Sequence, residues 1–331
     1  MKTYFADSQA FFAPQGKPPI FIPGEGPQLN LALLTSVPPF VNDPIEVIHA
    51  HQAFVGQVTR NNGVCIVRRK DDLANPLSSD IGVVLGLQHV PNKMTEGQLR
   101  ALYNDGLRFG AIAYKGATAY GSGYAAEGGL TERGKWLIRQ YDKLGITLDI
   151  SYANEETAMD AFELIWSEGL ECGVMASHSG CSAVYKHKRN ISNEVLLRLS
   201  ALDGYIGIPL ITFLLHDAGS CCASLLKFMR HVEHAVHEMG PGKVGIGSDC
   251  PHVNMTLTAA KKNFERMLEL VGNDEALGAY FPDRSVEAIH RGSALFELLE
   301  RELRTTLNSS VANDILGRSF RHFLERSLPR V

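Results

Sequence analysis

The 331-residue sequence lacks long apolar runs, and none approaches the roughly 20 residues that are needed to cross a bilayer. Its opening, MKTYFADSQAFFAPQG, has one lysine and then polar residues within every apolar stretch, so it also lacks the apolar segment of a signal peptide. We therefore expect a cytoplasmic protein that has no membrane partner.

The sequence also lacks an excess of either charge. It has 32 Lys and Arg residues against 36 Asp and Glu residues, a formal net charge of -4, and these residues are scattered rather than gathered in runs. A polyanion-binding surface would need clustered positive charge. We therefore expect no nucleic-acid partner.

Cysteine is scarce. The six cysteines are too few for a disulfide framework in a chain of this length, and none lies in a C-x-x-C pair. We interpret them as reduced thiols. The adjacent Cys221 and Cys222 leave a second possibility open, a soft-metal site or a redox pair, beside the interpretation as ordinary buried thiols.

The sequence does contain a series of short apolar runs separated by helical segments. With 45% hydrophobic residues the chain can bury a large core, and no linker or repeat divides it. Near-continuous apolar runs are typical of buried parallel strands, and eight of them favour a closed barrel over an open sheet. The predicted strands are residues 4–6, 31–35, 81–87, 109–113, 146–150, 173–176, 205–211 and 244–247, with 64–67 as a minor strand. We predict an α/β fold, a (β/α)8 TIM barrel that forms a single domain over residues 1–331.

The segments between these runs carry helix signals. Residues 131–145 begin at a capping threonine and end at a glycine suited to the left-handed conformation after a helix, and residues 192–202 follow the same pattern. A helical C-terminal extension is predicted over residues 283–328, outside the barrel.

In such a barrel, catalytic and binding residues lie just beyond the C-terminal ends of the strands. These positions carry mostly polar or aromatic residues: Asp7, Gln9, Phe11, Gln88, His89, Tyr114, Lys115, Ser151, Tyr152, Ser177, His178, Ser179, Ser248 and Asp249. We therefore expect the functional site at this end of the barrel.

Two runs, SHSGCSAVYKHKRNISNEVL from Ser177 and VGIGSDC ending at Cys250, resemble the membrane (renal) dipeptidase family. Its members are zinc peptidases of the amidohydrolase superfamily with a (β/α)8 fold. The resemblance extends to GVVLGLQHV, LRALYNDGLRFGAIAY, GLTERGKWLIRQYDKLGITLDIS and the closing DILGRSFRHFL. It covers about residues 80–250 well and the first 75 residues weakly. The order and spacing of these runs imply the family's fold and descent.

The resemblance implies a binuclear zinc site, with a His-x-Asp pair after strand one, a bridging Glu after strand three and a His after each of strands five and six. In this chain these positions fall on Gln9, Phe11, Gln88, Tyr152 and His178. A hydrolytic zinc ion needs about three protein ligands and an open position, so one imidazole cannot hold two zinc ions. We therefore expect no cofactor.

A single zinc ion near His178 is the alternative. His89 and His252 flank the barrel mouth and could complete such a mononuclear site. Two other histidine groups are weaker candidates. His49 and His51 lie in a predicted helix opened by an Asp-Pro pair, where residues two apart point in different directions. The outer-helix series His231, His234 and His237 is interpreted as a solvated or partly packed face.

The candidate catalytic residues are His178, Asp249 and Tyr114. The resemblance assigns proton transfer to the Asp after the last strand, and Tyr114 replaces the His that would polarise the scissile carbonyl. A tyrosine can still donate a hydrogen bond. The alternative is that Asp249 pairs with a neighbour and stabilises the barrel mouth.

The candidate substrate-binding residues are Arg189, Tyr152 and Gln88. In the family, the Arg of the Arg-Asn motif binds the substrate carboxylate, a role that suits a bidentate guanidinium. The alternative is that Arg189 and Asn190 form a structural helix-capping motif.

We therefore predict a membrane dipeptidase-like protein that has lost binuclear-zinc dipeptide hydrolysis and binds a small ligand, a dipeptide or an amino-acid-like carboxylate. Two alternatives stay open. One is an active enzyme that uses one metal ion or none on a dipeptide or an amino-acid-derived small molecule. The other is a scaffold retained for interaction. The resemblance also implies a homodimer.

Overall fold

The computed structural model describes residues 3–11, 29–60, 63–74, 81–215, 224–251, 258 and 293–329. Eight parallel strands form a nearly closed barrel, which confirms the predicted (β/α)8 fold. The strands are β1 Ala6–Phe11, β2 Leu31–Thr35, β3 Val64–Ile66, β4 Ile81–Leu87, β5 Leu107–Ala111, β6 Thr147–Asp149, β7 Val174–Ala176, β8 Tyr205–Ile208, β9 Val244–Ile246 and β10 Cys250–Pro251. Strands β1, β2 and β4 to β9 form the barrel, β3 pairs with the first half of β4, and β10 pairs with the end of β1.

Helices alternate with the strands and cover the outside of the sheet. They are α1 Pro44–Val58, α2 Glu96–Asn104, α3 Glu132–Leu144, α4 Glu155–Glu168, α5 Asn193–Ala201, α6 Thr212–Leu215 and α7 Ser224–Met239, with 3-10 turns at Lys70–Ala74 and Pro241–Lys243. The C-terminal extension contains helices Ser293–Thr306, Ser309–Asn313 and Ser319–Ser327, with a π-helical turn at Asp314–Arg318. Within the described part of the chain, no helix is long and apolar enough to span a membrane.

Helix ends follow the capping signals of the sequence. The Asp43 side chain accepts hydrogen bonds from the first backbone N–H groups of α1, and the Thr131 side chain caps α3. Helix α3 ends at Gly145, whose φ of 73° is a left-handed conformation that glycine adopts without a steric penalty. The predicted helices at 131–145 and 192–202 are therefore confirmed.

The first strand differs from its prediction. The apolar pattern indicated residues 4–6, whereas β1 spans Ala6–Phe11. Asp7, Ser8 and Gln9 are fully buried inside this strand, and each forms hydrogen bonds there. Buried polar residues break the apolar run on which strand prediction depends, so the pattern stopped at the start of the real strand.

The C-terminal helix Ser319–Ser327 covers the N-terminal end of the barrel. Its Phe320 and Phe323 rings lie 5.3 and 5.7 Å from the Tyr205 ring, which lies fully buried in the same apolar cluster as residues of β2, β4 and β5. The Ser319 hydroxyl donates a hydrogen bond of 2.9 Å to the Pro241 carbonyl, just before β9. The extension therefore closes the end of the barrel opposite the predicted site.

Candidate active site

The C-terminal strand ends bring several aromatic rings together. The Tyr114 ring centre, beyond β5, lies 4.3 Å from that of Tyr152, beyond β6, and Tyr152 contacts His178, beyond β7, edge to face at 5.1 Å. His89, beyond β4, lies 6.4 Å from Tyr114. These four side chains, here called the aromatic row, run across four consecutive strands of the barrel sheet.

Arg189 lies on this row. Its guanidinium carbon is 3.7 Å from the centre of the Tyr152 ring and 5.7 Å from that of Tyr124, and it donates a hydrogen bond to the Ser151 carbonyl. The residue is only 6% exposed. No carboxylate of the described residues lies within 4 Å of the guanidinium, so the charge is buried without an ion-pair partner in that part of the chain.

His178 is fixed by a hydrogen-bonded relay that starts at a buried carboxylate. The Ser177 hydroxyl lies 2.5 Å from Asp149 Oδ2 and 2.7 Å from His178 Nδ1. Because the hydroxyl donates its proton to the carboxylate, Nδ1 must carry the ring proton and Nε2 the lone pair. Burial and the Arg189 charge hold the pKa of His178 well below its usual value, so the ring is neutral. Nε2 is buried and makes no hydrogen bond with any residue that the structure describes.

Asp149 also ties two strand ends together. One oxygen accepts hydrogen bonds from the Ser151 N–H at 3.0 Å and the Ser151 hydroxyl at 2.6 Å, as well as from the Ser177 N–H at 3.1 Å. The other accepts from the Ser177 hydroxyl. Four donors from the ends of β6 and β7 therefore satisfy one buried carboxylate. These hydrogen bonds hold Ser151 and Ser177 in place, and so they position the residues that follow each serine, Tyr152 and His178.

Strands β1, β4 and β9 contribute Gln9, Gln88 and Asp249: Gln9 lies within β1, Gln88 directly follows β4, and Asp249 follows β9. The backbone N–H of Asp249 donates to the Gln9 carbonyl at 2.9 Å, and the φ of Asp249 is 52°, a left-handed conformation that non-glycine residues rarely adopt. Gln9 Oε1 and Gln88 Nε2 are buried and make no hydrogen bond within the described residues. These three residues therefore lie at the mouth, and two of them present unsatisfied amide atoms.

Burial raises the pKa of Tyr114 and raises that of Tyr152 well above its usual value, and the nearby Asp249 charge acts in the same direction. Both phenols therefore stay protonated at neutral pH, where they serve as hydrogen-bond donors and not as bases.

A cavity of about 710 Å³ lies beside the mouth, between residues 182–193 and the first turns of α4. Lys186, Lys188 and Arg189 contribute positive charge to its lining, against one carboxylate, Glu155. Gln88, Tyr114, Tyr152, His178 and Asp249 do not line it, so the cavity adjoins the aromatic row at Arg189 and does not contain the row.

The side chains at the predicted ligand positions do not fit a binuclear zinc centre. Phe11 has no lone pair, the two glutamines are neutral, and Tyr152 is held protonated. Within the described ranges, no group of three His, Cys, Asp or Glu side chains could hold a metal ion. His178 Nε2 is the one orphaned imidazole nitrogen of the aromatic row, and a single donor does not form a zinc site.

The remaining histidines have structural surroundings. His51 is fully buried and its Nδ1 lies 2.7 Å from the Ser36 hydroxyl, whereas His49 is exposed, so the helix separates the pair as predicted. His89 Nε2 lies 2.7 Å from Asn42 Oδ1.

The series on α7 forms a partly packed face, as interpreted from the sequence: His231 is buried, His234 is half-buried and His237 is exposed. The Nδ1 of His231 accepts a hydrogen bond of 2.9 Å from the Cys181 N–H. His252, Cys221 and Cys222 lie outside the described residues.

Sequence reasoning did not single out Asp149 or Ser177 as parts of the relay. Both positions are visible in retrospect, because Asp149 ends a buried apolar strand and Ser177 follows the next one. A carboxylate at the end of a buried strand needs nearby hydrogen-bond donors. Ser151, two residues after Asp149, and Ser177, directly after β7, supply them.

Comparison of the sequence with known protein families gives a match over most of the chain. The family model for "Membrane dipeptidase (Peptidase family M19)" matches residues 41–271. The dipeptidase verJ of Clonostachys rogersoniana is 29% identical over 184 residues, 54% of this chain and 45% of that protein. An uncharacterized dipeptidase, C3A11.10c, of Schizosaccharomyces pombe is 25% identical over 254 residues, 75% of this chain and 56% of that protein. The chain thus spans about half the length of these curated relatives.

Solved structures support the fold. An amidohydrolase from Pseudomonas aeruginosa has a TM-score of 0.78 at 17% identity, with 98% of this chain and 97% of that chain covered. A metallo peptidase from Rhodobacter sphaeroides, liganded with a phosphinate mimic of the dipeptide L-Ala-D-Ala, has a TM-score of 0.73 at 16% identity, with coverages of 98% and 100%. Since the family model matches more than half of the sequence, the chain belongs to the membrane dipeptidase family, peptidase family M19.

Proposed function

We propose that this member of the dipeptidase family binds a small amino-acid-like carboxylate or dipeptide through Arg189, and that it has lost binuclear-zinc dipeptide hydrolysis. The first half of the proposal rests on a buried positive charge that has no ion-pair partner among the described residues. The second half rests on the side chains at the ligand positions.

The Arg189 guanidinium is the observation that carries the proposal. Burial of a cation is costly unless a counter-ion or hydrogen bonds compensate for it, and here one carbonyl and the Tyr152 ring are the groups that face it. A ligand carboxylate would supply two charge-assisted hydrogen bonds in the fork geometry of a guanidinium. The adjoining cavity, with its two lysines, is large enough for a dipeptide.

The loss of hydrolysis follows from the chemistry of the residues at the mouth. Two zinc ions carry four positive charges, and Gln9, Phe11, Gln88 and Tyr152 offer no anionic donor to balance them. Without a metal-bound water, the usual nucleophile of a zinc peptidase has no source in this site.

The relatives indicate which carboxylates to test first. The curated relatives are named as dipeptidases, and the Rhodobacter sphaeroides structure holds a mimic of L-Ala-D-Ala. Dipeptides of small residues, together with the free amino acids, are therefore the ligands that the proposal favours.

A second candidate function is catalysis with one metal ion or none. The relay from Asp149 through Ser177 favours it, because it presents a neutral, oriented His178 imidazole whose Nε2 lone pair is unused. Such a nitrogen could accept a proton as a general base. Hydrolysis of a dipeptide panel that persists in chelator and disappears in His178→Gln would support this candidate over pure binding.

Titration calorimetry with L-Ala-D-Ala, L-Ala-L-Ala and L-alanine tests the proposal. We expect Arg189→Ala to weaken binding of a favoured ligand by about ten- to a hundredfold, the loss of a bidentate charge-assisted pair. Arg189→Lys should recover part of the affinity. Arg198→Ala removes an exposed arginine of α5 and is the matched control. Equal affinity of wild type and Arg189→Ala would overturn the proposal.

The homodimer implied by the family resemblance is part of the same proposal. Light scattering coupled to size-exclusion chromatography measures the mass directly. A mass near that of one 36.3 kDa chain at micromolar concentration would contradict it.

A further inference from the structure

A second cavity, of about 560 Å³, lies at the opposite end of the barrel. Thr3 and Tyr4, which lead into β1, form one wall, and the C-terminal segment from Arg304 to Glu325 forms the other. The segment covers the N-terminal ends of the strands, so this cavity is remote from the aromatic row. The volume is within the range of small-molecule sites.

The lining of this cavity is basic. Arg304, Arg318 and Arg321 face it together with His322, and Glu325 is its one carboxylate. Glu325 is paired with Arg321 at 3.1 Å.

Arg304 is held by the Glu300 carboxylate, behind the wall, and by Asn313 Oδ1, each at 2.8 Å. Two of the three arginines are therefore already compensated by protein groups.

Arg318 is the exception. It is half-buried, and its side chain makes no hydrogen bond or ion pair within the described residues. Asp314, in the same π-helical turn, is a carboxyl group on which the Arg318 charge acts, but it forms no ion pair with Arg318. Burial raises the pKa of Asp314, while Arg318 and His322 lower it. Arg318 therefore lines the cavity with N–H donors that no described residue accepts.

Tyr4 forms part of the same wall. Its hydroxyl is buried and makes no hydrogen bond within the described residues, and burial raises its pKa to about 12, so it stays protonated. The guanidinium carbon of Arg321 lies 5.5 Å from the centre of the same ring. Because the hydroxyl is buried, a ligand in the cavity would meet the guanidinium groups and not the phenol.

We propose that this basal cavity binds the phosphate group of a small phosphorylated molecule or free inorganic phosphate, with Arg318 as the principal charge partner. A tetrahedral dianion suits the site because the lining carries three arginines against one carboxylate, and because guanidinium groups bind phosphate bidentately. The proposal does not depend on the function proposed for the barrel mouth.

Calorimetric titration of the full chain with inorganic phosphate, with glucose 6-phosphate and with glucose tests this inference. We expect both phosphate compounds to bind and glucose not to bind. The phosphorylated sugar binds more tightly than free phosphate if the cavity receives the whole molecule, and equally if it receives the phosphate group alone. Absence of binding by both phosphate compounds at millimolar concentration overturns the proposal.

Variants locate the binding. Arg318→Gln should weaken phosphate binding about tenfold, and Arg301→Gln, which removes an exposed arginine outside the cavity, should leave it unchanged. Arg318→Lys keeps the charge but loses the planar fork of the guanidinium, and it should weaken binding several-fold; this variant is the deciding test if Arg318→Gln does not fold. Unchanged affinity in Arg318→Gln, or an equal loss in Arg301→Gln, contradicts the site.

Discussion

The guanidinium of Arg189 stacks on the ring of Tyr152, with 3.7 Å between the guanidinium carbon and the ring centre. Tyr152 stands at the position where the family resemblance places a histidine ligand of zinc. An aromatic face attracts a cation, whereas a metal-bound imidazole next to two dications would repel one. The replacement of the ligand and the burial of the arginine are therefore physically compatible with each other, and together they keep a positive charge at the barrel mouth.

Removal of the Tyr152 ring should destabilise the protein more than removal of its hydroxyl. We expect Tyr152→Phe to lower the free energy of unfolding by no more than about 1 kcal/mol, because the ring contacts stay and the hydroxyl loses at most one hydrogen bond, with Tyr114. Tyr152→Leu should lower it by about 3 kcal/mol, because the cation–π contact and the Tyr114 contact are lost. Urea unfolding measures both values, and equal losses would show that the ring contacts contribute nothing.

The purified protein should not carry a binuclear zinc centre. We expect elemental analysis to find clearly fewer than two zinc equivalents per chain, and we expect added zinc not to raise the thermal unfolding temperature by mass action. A variant that combines Gln88→Glu with Tyr152→His restores two ligand types and should bind more zinc than the wild type does. Two equivalents of zinc in the wild-type protein would refute this prediction.

Asp149→Asn should be strongly destabilising. The amide replaces one acceptor oxygen with a donor that faces hydroxyl and N–H donors, so at least one buried hydrogen bond is lost along with the charge. We expect a loss of about 3 kcal/mol in the free energy of unfolding, with Asp71→Asn, an exposed aspartate, as the control. A loss below about 1 kcal/mol would mean that the relay contributes little to stability.

His51 should make the folded state sensitive to acid. Burial lowers its pKa from 6.5 to about 4, so the unfolded chain binds a proton that the native state rejects between these values. The stabilisation is fully present above pH 6.5 and is lost as the pH falls towards 4, by up to roughly 3 kcal/mol.

Urea unfolding at several pH values measures this dependence. His51→Gln should show a shallower decline in stability between pH 6.5 and 4 than the wild type, while His49→Gln, two residues away on the exposed side of the same helix, should match it. A decline of the same slope in wild type and His51→Gln would assign the acid sensitivity to other groups.

The fold was predictable because its signals are local. Six of the barrel strands have both ends within two residues of their predicted positions, and β8 begins as predicted but ends three residues early. Apolar runs such as that of β4 mark buried parallel strands directly. Capping residues such as Thr131 likewise mark the helix ends. The prediction for β1 was misplaced because the buried side chains of this strand include Asp7 and Ser8, whose hydrogen-bond partners come from distant parts of the chain.

The arrangement of the site was predictable only in part. The order of strands and the family resemblance located Tyr114, Tyr152 and His178 at the same end of the barrel, and the structure brings these three into contact. The stacking of Arg189 on Tyr152 depends on side-chain rotamers, which sequence patterns do not specify. For the same reason, sequence patterns did not indicate the basal cavity, whose walls come from residues 3–4 and from the C-terminal segment.

Asp7 connects the first strand of the barrel with the segment that follows its last strand. Its carboxylate accepts hydrogen bonds from the backbone N–H of Ser248, at 2.8 Å, and from the hydroxyl of the same residue, across 241 positions of sequence. During synthesis, β1 is made before the other strands of the barrel. One of its edges pairs with β2, but the other edge stays unpaired until β10, at Cys250–Pro251, has been made. A nascent chain that stalls earlier therefore carries an unpaired edge strand with a buried-type carboxylate exposed to water, a form prone to self-association until the last strands arrive.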